Sequence, residues 1–260
     1  MNLKIDLPKS IFSRLTRAVV EFEMIDEGDK ILIGISGGKD SLFLAYALAL
    51  LKKRFKKKFS LTALTIDPKF TNDLDVESIK NFCNELEIDH AVEEVDIASV
   101  IEVTNKKTCF TCSYFRRAAM NRYANSIGAN KVAYAHHLDD AVETFLMSLF
   151  SSGQLNTFTP KTFLTRSKIT VIRPLVYIRE FEIKNFVHKN NFEIVRSPCP
   201  IDGKTNRQTI KNLICDLEKI FPDLFAHLSA GIRKSALRDL WDSPKTLDQM
   251  REVYHSYLGR

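Results

Sequence analysis

The chain has 260 residues, 45% of them hydrophobic and 27% charged, which is enough for a sizeable core and excludes wholesale disorder. Its 38 Lys and Arg against 32 Asp and Glu leave a net charge of +6, which suits a polyanionic partner without demanding one. No apolar run approaches the ~20 residues of a membrane helix, the opening Met1-Asn2-Leu3-Lys4-Ile5-Asp6 has no apolar leader, and the five cysteines are an odd number. The expectation is a soluble, cytoplasmic chain with no membrane partner and no disulfide framework.

The first 29 residues predict one helix, Ser10–Glu23, ending in the turn Asp26-Glu27-Gly28-Asp29. From Ile31 onward, short apolar runs alternate with longer amphipathic ones, the pattern of a parallel sheet covered by helices. Predicted strands are Lys30–Ser36, Phe59–Asp67, Ala91–Ile97, Lys131–His137 and Ile169–Pro174, with a last short one at Phe192–Val195. Helices are expected at Ser41–Lys53, Val76–Leu86, Thr111–Ile127, Asp139–Phe150 and Arg179–Asn190, and after Cys199 at Asn206–Phe221 and Asp223–Leu240. This divides the chain into an N-terminal helical extension (1–29), an α/β domain (30–200) and a C-terminal helical extension (201–260).

The run Ile31-Leu32-Ile33-Gly34-Ile35-Ser36-Gly37-Gly38-Lys39-Asp40-Ser41 passes from a buried strand straight into a helix. Two glycines permit positive φ and close approach of a ligand to the backbone, and the amides opening the helix attract anions. Lys39 and the hydroxyls of Ser36 and Ser41 add donors for phosphate oxygens. A Walker A loop is ruled out because Asp40 stands where Ser or Thr would be needed, and a dinucleotide G-x-G-x-x-G because residue 36 is Ser.

Cys109-Phe110-Thr111-Cys112 opens the helix that continues to Arg116 and Arg117, and Cys199 sits between Pro198 and Pro200. A helix start and nearby arginines favour thiolates. Three uses fit these cysteines: a redox dithiol that leaves Cys199 idle, a zinc site completed by Cys83, Cys215 or a His, or an iron–sulfur cluster with one open iron. Cys83 and Cys215 stand at apolar helical positions and read as core residues.

The Ser36–Ser41 string resembles the PP-loop of the ATP pyrophosphatase superfamily. Taken with Cys-x-x-Cys-Ser113-x-x-Arg116-Arg117, then His136-His137-Leu138-Asp139-Asp140-Ala141-Val142-Glu143-Thr144, then a single late Cys, it resembles the tRNA 2-thiocytidine synthetase (TtcA) family. Pro160-Lys161, Val171–Leu175 and Arg179-Glu180 extend the resemblance over roughly Gly28 to Leu213. Two features depart from it: the late block is Pro-Cys-Pro rather than Pro-Cys-x-x-Cys, and Leu138 stands where members tend to carry Arg.

The resemblance implies an α/β, Rossmann-like fold of the adenine nucleotide alpha hydrolase type. It implies an enzyme that uses ATP to adenylate the 2-oxo group of a cytidine in the tRNA anticodon loop and replaces it with sulfur. Ser36, Gly37, Gly38, Lys39, Asp40 and Ser41 would cradle the phosphates with Mg²⁺, Thr65 and Ile66 would meet adenosine, and His136 would join the ATP site. Lys39, Asp40, Asp139 and Asp140 would be catalytic, with one of the two adjacent aspartates also capping its helix. Strand alternation sends His136 and His137 to opposite faces, so one of them at most belongs in the site. Cys109, Cys112 and Cys199 would bind a [4Fe–4S] cluster.

The tRNA would meet Arg116, Arg117, Arg173, Lys204 and Arg207, whereas the basic run Lys52–Lys58 reads as a solvated loop away from the site. Sulfide or a cysteine desulfurase would donate the sulfur, and a homodimer is expected. Competing readings are a lysidine-forming tRNA ligase and a non-catalytic, nucleotide- and redox-sensing RNA-binding protein.

Overall fold

The computed structural model describes residues 5–71, 74–104, 108–195, 199, 206–233 and 248–249, with residues 102–104, 108 and 109 described by backbone alone. Helix α1 (Lys9–Glu21) repeats apolar residues at Ile11, Leu15, Ala18 and Val19, a single face that it buries. Strands β1 (Lys30–Gly34), β2 (Ser60–Asp67), β3 (Asp89–Glu94), β4 (Lys131–Ala133), β5 (Lys161–Leu164) and β6 (Ile169–Ile172) form one sheet in the order β3-β2-β1-β4-β6-β5. All neighbours are parallel except β5, which runs antiparallel to β6 at the edge.

Helix α2 (Lys39–Arg54) is buried at every position from Ser41 to Leu51. A helix that is apolar all round lies inside a fold rather than on its surface. Here α2 lies in a core that also takes Leu15 of α1, Ile33 of β1, and Ile183 and Phe186 of α7 (Glu180–Lys189). A second core, with Leu32, Leu64 and Val132 of the sheet, is closed by Ala119, Met120 and Ala124 of α5 (Thr108–Ser126). Val142 and Leu146 of α6 (Leu138–Ser152) pack with Ile214 of α8 (Asn206–Ile220) and Phe225 of α9 (Leu224–Arg233) in a third cluster. Helices α3 (Val76–Glu85) and α4 (Ile97–Thr104) complete the described elements. Among the described residues, no helix is long and apolar enough to cross a membrane.

Four of the five longer expected strands end earlier than the sequence pattern suggests, because their last residues run past their neighbours into loops at the carboxyl edge. Strand β2 ends at Asp67 as expected, and β3 begins two residues early, at Asp89. Phe192–Val195 is not a strand; one backbone bond, Val195 N to Gly37 O at 3.0 Å, ties it to the glycine loop. Strand β5 and helix α4 went unpredicted, since four or eight residues are too few to establish a period. Cys83 is buried as expected, but Cys215 is exposed on α8, where Ile214 takes the inward position. Lys52, Lys53 and Arg54 are exposed as expected but form the last turn of α2 rather than a loop. The predicted helix from Asp223 is described as far as Arg233, and its remaining residues lie outside the described ones.

Candidate active site

The sheet order reverses at β1, with β2 on one side and β4 on the other. In open α/β sheets the chains leaving two such strands diverge to opposite faces, opening a crevice beyond their carboxyl ends. A cleft of about 350 Å³ lies there. Gly34, Ser36, Gly38 and Ser41 form its floor, Leu64 and Ile66 of β2 one wall, Tyr134, Ala135 and His136 after β4 the opposite wall. Arg116 and Met120 of α5 and Asp140 of α6 close it.

The loop is set by its own atoms. Ser41 Oγ donates to Gly38 O at 2.9 Å and accepts from Ser36 N at 3.1 Å, which fixes the turn from inside. Gly37 has φ of +77°, and a Cβ there would lie 2.6 Å from Val195 Cβ, so both conformation and space require glycine. Gly38 caps α2 without any side-chain hydrogen bond, leaving the first amides of that helix to be satisfied by a ligand or by water.

Lys39 Nζ sits 2.8 Å from Asp40 Oδ2 and 2.9 Å from Glu180 Oε1. Burial alone would lower its pKa, but these two carboxylates overcome burial and raise it, so Lys39 stays charged. Glu180 in turn pairs with Lys211 of α8. Burial would raise the Glu180 pKa; the hydrogen bonds from Lys211 and Lys39 outweigh it and hold the group down to about 2. Asp40 Oδ1 is buried without a hydrogen-bond partner among the described residues, and His137 Nε2 stands 3.8 Å away.

The two histidines face different ways, as strand alternation requires. His137 caps α6: its Nδ1 accepts from Asp140 N at 3.3 Å while Asp140 Oδ2 accepts from His137 N at 2.9 Å. His136 lines the cleft, and burial, with Arg173 and Arg207 nearby, pushes its pKa down to about 4 against the pull of Asp140. It is therefore neutral near pH 7. Asp140 combines the cap with a place on the cleft and an ion pair to Arg207. Asp139 does not line the cleft: it accepts from Arg179 Nε at 3.0 Å and Glu180 N at 2.7 Å, latching α6 to α7. Glu143, one turn on, is buried, and burial together with the charge of Asp140 lifts its pKa to about 7.

Of the other expected residues, Ile66 lines the cleft, while the Thr65 hydroxyl is turned inward to Ile35 O at 2.9 Å and His90 Nε2 at 2.9 Å. Arg116 reaches the cleft and Arg117 is exposed beside it on α5. Arg207 is engaged by Asp140, Glu143 and Thr144. Arg173 donates to Thr159 O at 2.7 Å and lies over the Phe158 ring. Cys112 and Cys199 are both half-buried, and Cys112 stands one helical turn before Arg116. The side chain of Cys109 and all of Lys204 lie outside the described residues. Among the described residues, no three His, Cys, Asp or Glu side chains gather as a metal site. Sequence reasoning missed Tyr134, Lys211 and the role of Glu180, whose nearest signal was the Arg179-Glu180 pair.

The PP-loop domain family matches residues 9–218 of this chain. The tRNA-cytidine(32) 2-sulfurtransferase of Geobacter metallireducens is 36% identical over 252 residues, covering 94% of this chain and 96% of the relative. That of Geobacter sulfurreducens is 35% identical over 240 residues, 89% of each chain. Among solved structures, the U34-tRNA thiolase NcsA from Methanococcus maripaludis with its [4Fe-4S] cluster superposes with a TM-score of 0.72 over 91% of this chain and 80% of that one, at 22% identity. NMN synthetase from Francisella tularensis, at 18% identity and a TM-score of 0.51, shares the fold over 93% of this chain and all of its own. With a glycine loop seated at the reversal of the sheet and sequence identity running through nearly the whole chain, this protein belongs to the tRNA-cytidine(32) 2-sulfurtransferase family of PP-loop proteins.

Proposed function

We propose that the chain is a tRNA-cytidine 2-sulfurtransferase that spends ATP, as AMP and pyrophosphate, to exchange the 2-oxo group of an anticodon-loop cytidine for sulfur. The observation that supports it best is that α5, which carries Cys109-Phe110-Thr111-Cys112 near its start, borders through Arg116 the same cleft as the glycine loop. The helix that carries the Cys-x-x-Cys pair thus also supplies, one turn after Cys112, a residue of the cleft that holds the glycine loop.

The 2-oxo carbon of cytosine is a poor electrophile, and oxide is a poor leaving group. Attack by that oxygen on the α-phosphate of ATP forms the O–P bond, breaks the bond to pyrophosphate and makes AMP the leaving group. Sulfide, free or passed on by a cysteine desulfurase, then adds to C2, and AMP departs with the original oxygen. Lys39 and the amides opening α2 would balance the charge gathering on pyrophosphate. The buried, unpartnered Asp40 Oδ1 suits a divalent cation, and Asp40 would hold the Mg²⁺ that neutralises the triphosphate. Ile66 and Leu64 offer an apolar rest for adenine.

The thiols sort by chemistry. Burial pushes Cys83 up to about 12, far from a thiolate, and Cys215 is exposed on the surface of α8. Cys109, Cys112 and Cys199 remain and would hold a [4Fe–4S] cluster, which when bound supplies an iron open to hydrosulfide. Arg116 and Arg117, with Lys204, would meet tRNA phosphates, and the chain would act in the cytoplasm as a homodimer.

The test is anaerobic purification of the wild type and five single variants, read by iron content, absorption spectrum and nucleoside mass spectrometry of treated tRNA. Cys109→Ala, Cys112→Ala and Cys199→Ala should each lose iron and thiolation together, while Cys83→Ala and Cys215→Ser keep both. Iron-free wild-type protein that still thiolates tRNA would overturn the cluster. Wild-type protein forming lysidine, or no product at all, would overturn the activity.

A further inference from the structure

Three polar atoms are buried with no hydrogen-bond partner among the described residues: Tyr134 Oη and His136 Nδ1, on residues of the cleft wall after β4, and Arg173 Nε, on the residue that follows the neighbouring strand β6. They belong together. The Tyr134 and His136 rings meet edge to face at 5.9 Å, His136 lies 5.1 Å from Phe158, and Arg173 lies over the same Phe158 ring at 5.1 Å. The charge of Arg173 also acts on the Tyr134 hydroxyl. A buried polar atom left unpaired is expensive, and three clustered around the His136 and Phe158 rings mark a place built for a partner.

Resting on the sulfurtransferase reading above, we infer that Tyr134, His136 and Arg173 form the subsite for the ring of the cytidine to be modified, and that they read its Watson–Crick edge. The wall is the one across the glycine loop from Leu64 and Ile66, so it is separated from the β2 side by the width of β1. An acceptor there would face the α-phosphate from the side opposite adenosine. The donor count fits as well. A phenol O–H and a guanidinium N–H both donate, and a neutral imidazole nitrogen accepts. Cytosine offers two acceptors, N3 and O2, and one donor, the N4 amine; O2 keeps its second lone pair for phosphorus. Uracil carries N–H at position 3 and an acceptor at position 4, so two of the three pairings would fail. The inference moves His136 from the ATP side of the cleft to the acceptor side.

The experiment uses full-length protein and tRNA carrying pyrrolocytidine, a fluorescent cytidine, at position 32. Wild-type protein should change the emission of the probe saturably, because its ring moves from the loop into an aromatic wall. His136→Ala and Tyr134→Phe should cut that change at least fivefold while ATP affinity stays within about threefold. Wild-type binding should also weaken at least tenfold when uridine replaces the cytidine, and Arg173→Gln should narrow that gap. No emission change in the wild type, full change in His136→Ala, or loss of ATP binding in these variants would overturn the subsite, the last returning the wall to adenine. Because emission needs no turnover, failure of the subsite is distinguishable from failure of the activity, which wild-type nucleoside analysis alone decides.

Discussion

Glu180, the first residue of α7, holds Lys39, the first residue of α2: Oε1 lies 2.9 Å from Nζ at the mouth of the glycine loop. Lys211 grips the other oxygen of Glu180, so helix α8 is coupled to the first residue of α2 through a single carboxylate. In the absence of phosphate, this carboxylate and Asp40 keep the lysine both charged and aimed.

The Glu180 pairing should appear in acid. A carboxylate whose folded pKa is about 2, below its ordinary 4.5, lends stability that is complete above about pH 4.5 and lost as pH falls toward 2. For a partly exposed group this amounts to about 2 kcal/mol after solvent screening. Glu180→Gln should therefore be less stable than wild type near pH 7 and converge with it in acid. Denaturant midpoints followed from neutral to acid pH check this, and parallel curves would contradict it.

Replacing Lys39 or Asp40 by Ala should lower tRNA-dependent pyrophosphate release by about 100-fold or more, Lys39 because its charge faces the developing anion and Asp40 because it would hold the Mg²⁺ that neutralises the triphosphate. The far-ultraviolet circular dichroism should not change, since both side chains sit on the rim rather than in the core. Pyrophosphate release at the wild-type rate in either variant would remove this loop from the reaction.

The two glycines of the loop should behave differently. Gly37→Ala places a Cβ at positive φ and 2.6 Å from Val195, and should cost about 2–3 kcal/mol along with ATP binding. At Gly38 the nearest atom to a new Cβ is Ser36 Oγ at 3.5 Å, and φ is −72°, so Gly38→Ala should fold with near wild-type stability. Thermal melts of the two variants test the contrast.

Glu143 should give the opposite pH dependence to Glu180. Its folded pKa is raised to about 7, so the folded state binds the extra proton and stability is lost as pH climbs from about 4.5 through 7. Glu143→Gln, neutral at all pH, should be close to wild type near pH 5 and more stable by about 2 kcal/mol near pH 8. Urea midpoints at the two values are the measurement, and equal midpoints at pH 8 would sink it.

Much of the site was legible because it is local. Residues Gly34 to Ser41 carry their turn, their glycine conformations and their helix start within eight positions, and Ser36, Ser41 and Gly38 make the internal bonds that a strand–turn–helix needs. The His137–Asp140 cap is equally short-range, and strand alternation alone separates His136 from His137. The buried run along α2 and the single apolar face of α1 show directly as composition and period.

What the sequence could not carry was partnership across the sheet. Nothing near Lys39 names Glu180, and nothing near Glu180 names Lys211; the pairs exist because α2, α7 and α8 converge beyond the carboxyl edge. Arg207 looked available for RNA as a residue in isolation, yet Asp140 and Glu143 engage it once α8 packs on α6. Asp139 and Asp140 are adjacent and chemically identical, and only the position of α7 turns the first into a latch while the second reaches the cleft. The cleft itself follows from β4 lying on the opposite side of β1 from β2. A motif spends its information on neighbours within a turn or two, whereas which distant charge it meets is set by strand order, and strand order is chosen by how three apolar cores are buried together.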